Sequence, residues 1–167
     1  MLTAIVACGK NFEIGVNNDM IWKISEDLAE FKNKTINKTV IMGKNTYYSL
    51  PENVRPLPNR QTIVICSDNE ENKNKIKHSN VILCHDINEI IEKYENSDEE
   101  VFVCGGETIY NQLLSYCKKV HLTHIDDSYK EADTYFNINM EDWKPIVSYQ
   151  YDTEIPFEIT TYVRFYK

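Results

Sequence analysis

The sequence lacks any apolar run that approaches the roughly 18 residues needed for a membrane-spanning helix. The N-terminal run Met1–Ala7 is short and apolar, and it has neither a basic leader nor a small-residue cleavage site. This run therefore predicts a first β-strand rather than a signal peptide. Together these features predict a cytoplasmic protein without a membrane partner.

Positive charge is in deficit, because 18 Lys and Arg residues face 26 Asp and Glu residues and the net charge is −8. Broad binding to nucleic acid needs a basic surface, so no nucleic-acid partner is predicted. A small anionic ligand stays compatible with this composition, since a few local Lys and Arg residues can hold one. Repeats and linkers are absent too, and 167 residues suit a single domain spanning residues 1–167.

Paired cysteine motifs are missing. The five cysteines form no C-x-x-C pair, and most lie in or beside apolar, strand-like runs. They are Cys8, Cys66, Cys84, Cys104 and Cys117. This pattern predicts reduced core thiols, and a catalytic cysteine is disfavoured because none has a clearly electropositive setting.

Signatures of metal centres and of serine hydrolases are also missing. His121 and His124 are three residues apart in a strand-like run, so they are predicted to face opposite sides of a sheet. No set of His, Cys, Asp and Glu has convincing ligand spacing, and no metal is predicted. The G-x-S-x-G motif of α/β-hydrolases does not occur.

What the sequence does contain is a series of short apolar runs separated by helical segments. The predicted strands are Thr3–Ala7, Thr39–Met42, Thr62–Cys66, Asn80–Cys84, Val101–Cys104 and Val120–Ile125. Continuous apolar strands indicate a sheet that is covered on both faces. The alternation of strand and helix predicts an α/β fold with three layers, in which helices cover both faces of a mostly parallel sheet of about eight strands.

Two segments refine this prediction. Asp86–Glu95 is the clearest helix, because its apolar residues recur with helical spacing and Asp86 with Glu89 resembles a capping box. At the C-terminal end, Ile146–Tyr151 and Phe157–Tyr166 are strand-like with no helix between them. They predict an antiparallel hairpin at one edge of the sheet. Residues 67–80 are polar and predict a long loop with a frayed helix.

The first candidate for chemistry is Asp27. Ser25 is a suitable N-cap, and a helix beginning there places Asp27 on one stripe with Leu28 and Phe31. An acid at the edge of an apolar face acquires a raised pKa, which suits a proton donor or an anchor for a cationic heterocycle. Support of the helix dipole in its first turn is an equally simple interpretation, and spacing alone favours it.

Two strand-to-helix turns contain glycine. One is Gly105–Gly106 followed by a helix from Glu107, and the other is Gly43–Lys44. Glycine lets the backbone approach a ligand closely, and a helix start offers free N–H groups to a phosphate. Two such turns in one sheet suit two phosphate regions of one dinucleotide. Neither is the G-x-G-x-x-G fingerprint, and Glu107 opposes an adjacent phosphate, so ordinary tight turns remain an alternative.

The segment Gly9–Trp22 is a long polar loop with an apolar end at Met20, Ile21 and Trp22. Loops with apolar tips often close over ligands, although Trp22 packed into the core is an equal alternative. Taken by themselves, the residues indicate an α/β nucleotide-binding protein of unassigned activity.

The order and the residues of these motifs resemble those of the dihydrofolate reductase family from one end of the chain to the other. The matching segments are Ile14–Gly15, Met20–Trp22, Asp27–Lys32, Val40–Thr46, Arg55–Arg60, Val103–Gly106, Thr123–Ile125 and Asp133–Phe136. The resemblance implies reduction of 7,8-dihydrofolate to tetrahydrofolate with NADPH, as part of one-carbon metabolism. It also implies a monomer that binds antifolate inhibitors.

The resemblance implies roles for individual residues. Asp27 would bind the pterin and, through water and Trp22, support protonation of N5, while Thr123 would hold the same end of the ring. Arg60 would pair with the α-carboxylate of the glutamate tail. The implied substrate-binding residues are Ile5, Ala7, Leu28, Phe31, Leu50, Arg60 and Cys104.

For NADPH, the resemblance implies that Gly105 and Gly106 are joined by a cis peptide bond and that Lys44 and Ser67 lie near the 2′-phosphate. Lys44 stands where Arg is more usual, which keeps the charge but loses the planar fork. The resemblance also implies that residues Gly15 to Met20 form a mobile loop, which Asp133 would steady in its closed state. The implied cofactor-binding residues are Ala7, Ile14, Gly15, Gly43, Lys44, Asn45, Thr46, Ser67, Gly105, Gly106, Glu107, Thr108 and Tyr110.

Two other functions remain open at this stage. One is another reductase of the same fold, such as a riboflavin-pathway reductase, although Asp27 together with Arg60 suits a pterin that carries a glutamate tail. The other is a non-catalytic nucleotide- or folate-binding module, which the presence of Asp27, Trp22 and Thr123 disfavours. A turnover assay separates these possibilities.

Overall fold

Eleven strands form where the sequence is apolar or alternates in polarity, and the computed structural model describes residues 1–165. The strands are β1 (Leu2–Cys8), β2 (Glu13–Val16), β3 (Asp19–Met20), β4 (Thr39–Gly43), β5 (Gln61–Ile65), β6 (Val81–Cys84), β7 (Val101–Val103), β8 (Cys117–Ile125), β9 (Thr134–Tyr135), β10 (Trp143–Tyr151) and β11 (Phe157–Arg164). The predicted strands of the main sheet are all present, with boundaries that shift by up to three residues.

Helices connect most of the parallel strands. The α-helices are α1 (Ser25–Thr35), α2 (Lys44–Ser49), α3 (Glu70–Lys75), α4 (Ile87–Tyr94) and α5 (Glu107–Leu113). Short 3₁₀ turns lie at Glu52–Val54, Leu114–Tyr116 and Met140–Asp142. Within residues 1–165, every helix is too short or too polar to span a lipid bilayer.

The main sheet has eight strands in the order β10-β11-β8-β1-β7-β4-β5-β6. The strands from β8 to β6 in this order run parallel, whereas β11 is antiparallel to β8 and to β10. The prediction of a mostly parallel sheet of about eight strands with an antiparallel C-terminal hairpin is therefore confirmed. The predicted end of that hairpin at Tyr166 lies outside the described residues.

Apolar side chains cover both faces of the sheet, as the continuous apolar strands predicted. On one face, Ile90 and Tyr94 of α4 and Leu113 of α5 pack against the strands. On the other face, Tyr47 of α2 and Phe31 of α1 pack against a second cluster. The sheet is thus the middle layer of three, and its strand ends are where connecting loops meet.

The segment 9–22 departs from the prediction of a polar loop. It contains β2 and β3, and β2 pairs with both β3 and β9 in a separate three-stranded sheet. Its anchor is Glu13, which is only 1% exposed and accepts hydrogen bonds from the backbone N–H groups of Asn11 and Tyr129. Since backbone donors satisfy this buried carboxylate, a polar residue can occupy a position where a strand pattern calls for an apolar one.

Local details of three helices also differ from the prediction. The N-cap of α1 is Ile24, and Ser25 is already helical with its hydroxyl bonded to Glu26, so the predicted cap is wrong by one residue. Asp86 does cap α4, where its carboxylate accepts from Asn88 N, but no side-chain bond returns from Glu89 among the described residues. Residues 67–80, which were predicted to form a long loop with a frayed helix, contain the six-residue helix α3.

The two histidines of β8 point to opposite faces, as their spacing predicted. His121 shares a hydrogen bond with the Thr161 hydroxyl, and His124 shares one with the Tyr162 hydroxyl. Burial lowers the pKa of His121 to about 4, so this imidazole is neutral at physiological pH. Across residues 1–165, no three His, Cys, Asp or Glu side chains come close enough to hold a metal ion together.

Candidate active site

Asp27 and Thr123 form the centre of the candidate site. Asp27 lies in the first turn of α1 and Thr123 lies near the end of β8, and the Thr123 hydroxyl donates a 2.7 Å hydrogen bond to Asp27 Oδ1. Burial raises the pKa of the Asp27 carboxyl above its usual value, while the bond from Thr123 acts in the opposite direction. Asp27 is therefore a partly desolvated acid whose orientation is fixed.

Two neighbouring parallel strands, β1 and β8, form the surface of the sheet beside Asp27. Ala7 of β1 is paired with Thr123 of β8, so both side chains face α1, and Ile5 faces the same side two residues earlier. The predicted substrate-binding residues Ile5, Phe31, Leu50 and Cys104 all pack, half-buried, on one apolar cluster of this face. Leu28 of α1 is 42% accessible.

Arg60 lies at the far end of the same face, before β5. It is only 7% exposed, and its guanidinium donates to the Pro58 carbonyl and, over 3.2 Å, to the Thr35 hydroxyl. Among residues 1–165, no carboxylate lies within 4.0 Å of this cation, and its Nη2 has no hydrogen-bond partner. A buried cation with free donors is suited to bind an anionic ligand.

Trp22 is held by a residue that sequence reasoning missed. Its indole N–H donates a 3.0 Å hydrogen bond to Asp127 Oδ2, 105 residues away in sequence. Because indole has a single donor, this bond directs Trp22 toward Asp127 rather than toward Asp27. The ring packs with Ile24 on the small cluster around Phe157. No spacing pattern identifies Asp127, since only the approach of the β8–β9 connection brings it to Trp22.

The two glycine turns meet at the carboxyl ends of β4 and β7. Gly43 N donates a 2.9 Å hydrogen bond to the Gly105 carbonyl, and the peptide bond between Gly105 and Gly106 is cis, as the resemblance implied. A Cβ on Gly106 would come within 3.3 Å of the Thr46 hydroxyl. The turns therefore form one continuous backbone surface, which the sequence pattern alone left open.

The ring of Tyr110 lies directly against Gly105 of this surface. Its hydroxyl donates a 2.7 Å hydrogen bond to the Ile5 carbonyl, and its ring packs edge-on against Phe136. Burial raises the pKa of Tyr110 well above its usual value, so its proton stays on the hydroxyl. Tyr110 consequently links α5 to β1 beneath the glycine pair.

Substitution of Gly105 by Ala is expected to lower the free energy of unfolding by about 1–3 kcal/mol, because its φ of +108° disfavours any side chain. The new Cβ would also lie 3.0 Å from the Tyr110 ring. Gly106→Ala is the matched control, since its φ of −80° is ordinary and its Cβ would meet only the Thr46 hydroxyl. Urea denaturation measures both variants, and an equal loss for the two would contradict this expectation.

The remaining predicted cofactor residues surround these turns. Lys44, Asn45 and Thr108 are exposed near the starts of α2 and α5, and Ser67 is exposed just after β5. The Glu107 carboxylate accepts a 3.2 Å hydrogen bond from the Asn137 side chain. Its charge is thereby engaged outside the turn, which reduces the conflict with a phosphate that the sequence indicated.

The segment with β2 and β3 is tied to the connection before β9. Asp133 N donates to the Gly15 carbonyl over 3.0 Å, and the Asp133 carboxylate accepts from Asn17 N over 2.9 Å. Ile14 packs, half-buried, against the main core, whereas Met20 is 42% exposed. The structure thus brings Gly15 and Asp133 together and leaves Met20 at an accessible edge.

The five cysteines are free thiols, as predicted. Burial raises the pKa of Cys8, Cys104 and Cys117 to about 12, and it also raises the pKa of Cys66 and Cys84. A reactive thiolate requires the opposite shift. The candidate site therefore depends on Asp27 for its acid.

These features define a class of protein. A parallel sheet covered on both faces, with two joined glycine turns at its carboxyl edge and a half-buried acid beside them, is the arrangement of an α/β enzyme that binds a nucleotide and a second small molecule.

The family follows from similarity to known proteins. The chain matches the family model described as Dihydrofolate reductase over residues 1–164. It is 42% identical over 126 residues to the dihydrofolate reductase of Buchnera aphidicola subsp. Acyrthosiphon pisum (strain APS), which covers 75% of this chain and 72% of that protein. It is 35% identical over 146 residues to that of Staphylococcus haemolyticus, which covers 87% and 82%. The chain belongs to the dihydrofolate reductase family, and it is an oxidoreductase of that family.

A solved structure supports the same assignment. The dihydrofolate reductase from Enterococcus faecalis complexed with NADP(H) and RAB-propyl superposes with a TM-score of 0.83 at 27% identity. The match covers 98% of this chain and 96% of that chain. The similarity therefore extends over the three-layer fold and the strand ends that carry the candidate site.

Proposed function

We propose that this protein reduces 7,8-dihydrofolate to 5,6,7,8-tetrahydrofolate with NADPH, by hydride transfer to C6 and protonation at N5. The observation that carries the proposal is the Asp27–Thr123 pair, a partly buried acid held 2.7 Å from a hydroxyl beside the joined glycine turns. Its family membership supports this chemistry.

Asp27 binds the pterin through its carboxyl group and supports protonation of N5. A carboxyl whose pKa is raised by burial keeps its acid form at a higher pH than a solvated aspartate does. Thr123 fixes one carboxyl oxygen, which leaves the other free for the heterocycle. Trp22, oriented by Asp127, covers this end of the site and limits the entry of water.

The rest of the substrate lies along the face between α1 and the sheet. Leu28, Phe31 and Leu50 contact the ring systems, and Ile5 and Cys104 present backbone carbonyls to the pterin. Ala7 leaves room for the pterin ring, because its side chain is only a methyl group. Arg60 binds the α-carboxylate of the glutamate tail, since it is a buried cation with free donors.

The residues present fit NADPH, which supplies the hydride when bound. A Cβ on Gly43 would lie 3.1 Å from Ile109, and a Cβ on Gly106 would lie 3.3 Å from the Thr46 hydroxyl. Side chains at these positions would therefore crowd the joined turns, where the pyrophosphate of NADPH approaches the protein backbone. Gly43, Asn45, Thr46, Gly105, Gly106 and Thr108 hold the pyrophosphate region, while Glu107 borders it. Lys44 and Ser67 hold the 2′-phosphate, and Ala7, Ile14, Gly15 and Tyr110 border the nicotinamide.

The segment 15–20 acts as the closing loop of the site. Asp133 binds this segment at Gly15 and Asn17, and these bonds would steady the loop when it closes. Exposed Met20 at its edge is placed to cover the cofactor when both ligands are bound. The enzyme acts in the cytoplasm as a monomer of one domain, and antifolates compete for the site that contains Asp27.

The decisive experiment is the loss of NADPH absorbance by the purified protein, with and without dihydrofolate and with methotrexate as inhibitor. Loss that depends on dihydrofolate and is blocked by methotrexate is the expected result. Binding of NADPH or folate without turnover would overturn the proposal and favour a non-catalytic binding module. Turnover of a different reducible heterocycle, with none of dihydrofolate, would favour another reductase of the same fold.

A further inference from the structure

Helix α1 has two rows of buried or half-buried side chains. One row contains Phe31 and Thr35, and the other contains Asp27, Glu30 and Lys34. Residues three or four apart on a helix are neighbours on its surface, so the three ionisable residues lie on one face. Charged side chains are usually found on the solvent side of a helix, and a half-buried row of three is therefore unusual.

Glu30 and Lys34 form an ion pair within this row. Lys34 Nζ lies 3.2 Å from Glu30 Oε2, and the side chains of Lys34 and Glu30 are only 25% and 31% exposed. Salt screens such a partly buried pair less than it screens an exposed one. Since Glu30 follows Asp27 by three residues, their Cβ atoms are roughly 5–6 Å apart and the charges of the pair act on Asp27 at short range.

The strands opposite this row add no second charged group at neutral pH. The side chains that β1, β8 and β11 present on this side of the sheet are Ile5, Ala7, His121, Thr123, Ile159 and Thr161. Of these, only His121 titrates between pH 3 and pH 9. Burial lowers the pKa of His121 to about 4, so its imidazole is neutral in the pH range of interest.

Tyr151, at the end of β10, lies close to the same row. Its ring stacks on Phe157 with 4.5 Å between the ring centroids, and Phe157 is almost fully buried. Burial raises the pKa of the Tyr151 phenol, and the nearby charges of Glu30 and Asp27 raise it further, so the phenol stays neutral. Among the described residues, the charges that act on Asp27 are consequently those of Glu30 and Lys34.

These two charges act on Asp27 in opposite directions. Burial has the largest effect and raises the pKa of Asp27, whereas the hydrogen bond from Thr123 lowers it. Of the two charges, that of Lys34 lowers this pKa and that of Glu30 raises it. The physical reason is that a neighbouring carboxylate disfavours the loss of a proton, while a neighbouring ammonium group favours it.

We propose that Glu30 and Lys34 are positioning residues for the reduction, which act through Asp27 by holding one negative and one positive charge beside it on α1. This inference rests on the proposed function, because it concerns the acid that supports protonation of the pterin. It goes beyond that function, since neither residue contacts dihydrofolate or NADPH in it. The balance of the two charges then sets the upper end of the pH range in which the enzyme works.

The test is the pH dependence of hydride transfer, measured by stopped-flow in single turnovers of the full chain with NADPH and dihydrofolate. On the alkaline side of the profile, the rate of Glu30→Gln should be roughly two- to fivefold below that of the wild type, the size typical of one partly exposed charge. The rate of Lys34→Met should be roughly two- to fivefold above it. On the acid side all three proteins should share one rate, because Asp27 is protonated in each.

Glu26→Gln is the matched control, because it removes the same charge from an exposed position beside Asp27 and should keep the wild-type profile. In the Asp27→Asn background, neither Glu30→Gln nor Lys34→Met should change the pH dependence, since the titrating group is gone. Unchanged profiles of the single variants would overturn the inference. A loss in Glu30→Gln that is equal at every pH, or shifts of both variants in one direction, would indicate a structural role and overturn it too.

Thermal unfolding provides a measurement that does not need turnover. Asp27→Asn removes the repulsion between two carboxylates, so the gain in Tm that it gives at pH 7 should be smaller in the Glu30→Gln background than in the wild-type background. An equal gain in both backgrounds would contradict the inference. If the wild type showed this coupling but did not reduce dihydrofolate, the proposed function would fail while the interaction between the two carboxylates stood.

Discussion

Asp27→Asn is expected to lower the rate of dihydrofolate reduction at neutral pH by roughly 10²- to 10⁴-fold, the contribution typical of a positioned acid. Asparagine still accepts the hydrogen bond from Thr123, so the pocket keeps its shape while the proton support is lost. Binding of NADPH should remain unchanged, because Asp27 belongs to the substrate face. Steady-state turnover and NADPH titration measure the two properties separately.

The pH profile of the same variant tests the cause. Burial raises the pKa of Asp27, so the wild-type rate is expected to fall as the pH rises through that raised value. Asp27→Asn should lose this fall, since its side chain does not titrate. Glu26→Gln is the control, because Glu26 is an exposed neighbour in the same helical turn and should keep the wild-type profile. A variant at Asp27 with near-normal turnover at neutral pH would remove this residue from the mechanism.

The same substitution, Asp27→Asn, should raise the stability of the fold at neutral pH although it lowers the activity. A carboxyl with a raised pKa in the folded state stabilises the fold below its unfolded pKa, about 3.9, and this contribution is lost as the pH rises through the folded value. Asp27→Asn avoids that loss, so its Tm at pH 7 should exceed that of the wild type. The difference should disappear as the pH is lowered toward about 4. A lower Tm at pH 7 would show that the charged carboxylate is stabilised in the fold.

Arg60→Leu is expected to weaken binding of dihydrofolate by roughly 30- to 1000-fold, or about 2–4 kcal/mol, the range for loss of one partner from a buried charge pair. The side chain is 7% exposed and has free donors, so a bound carboxylate would be its natural counterion. Leucine fills part of the same volume without the charge. Equilibrium titration with dihydrofolate measures the loss.

Dihydropteroate provides the control, because it retains the pterin and the aminobenzoyl ring but has no glutamate. Its binding should be the same in wild type and Arg60→Leu. Arg60→Lys keeps the charge but not the planar fork, so its affinity for dihydrofolate should be intermediate. An equal loss for both ligands would indicate that Arg60 supports the fold through Thr35 and Pro58 rather than binding the glutamate.

The sequence predicted the elements whose pattern repeats locally. Apolar runs identified the strands of the main sheet, and the helical spacing around Ile90 identified α4, because periodicity reflects which face of each element is buried. The pattern did not identify β2 and β3, which are short. Only β2 pairs with a strand more than a hundred residues away, β9, whereas β3 pairs with β2. It indicated α3 only as a frayed helix within a loop, because the polar residues of α3 carry no apolar stripe.

The candidate site divides in the same way. The sequence by itself placed Asp27 on one helical stripe with Leu28 and Phe31 and placed glycines after two strands. Only the tertiary structure brought Asp27 to Thr123 and Trp22 to Asp127. Such contacts depend on strand order and register, and these are selected by the burial of the whole chain. A local pattern records which side of an element is buried, but it does not record the neighbour against which it is buried.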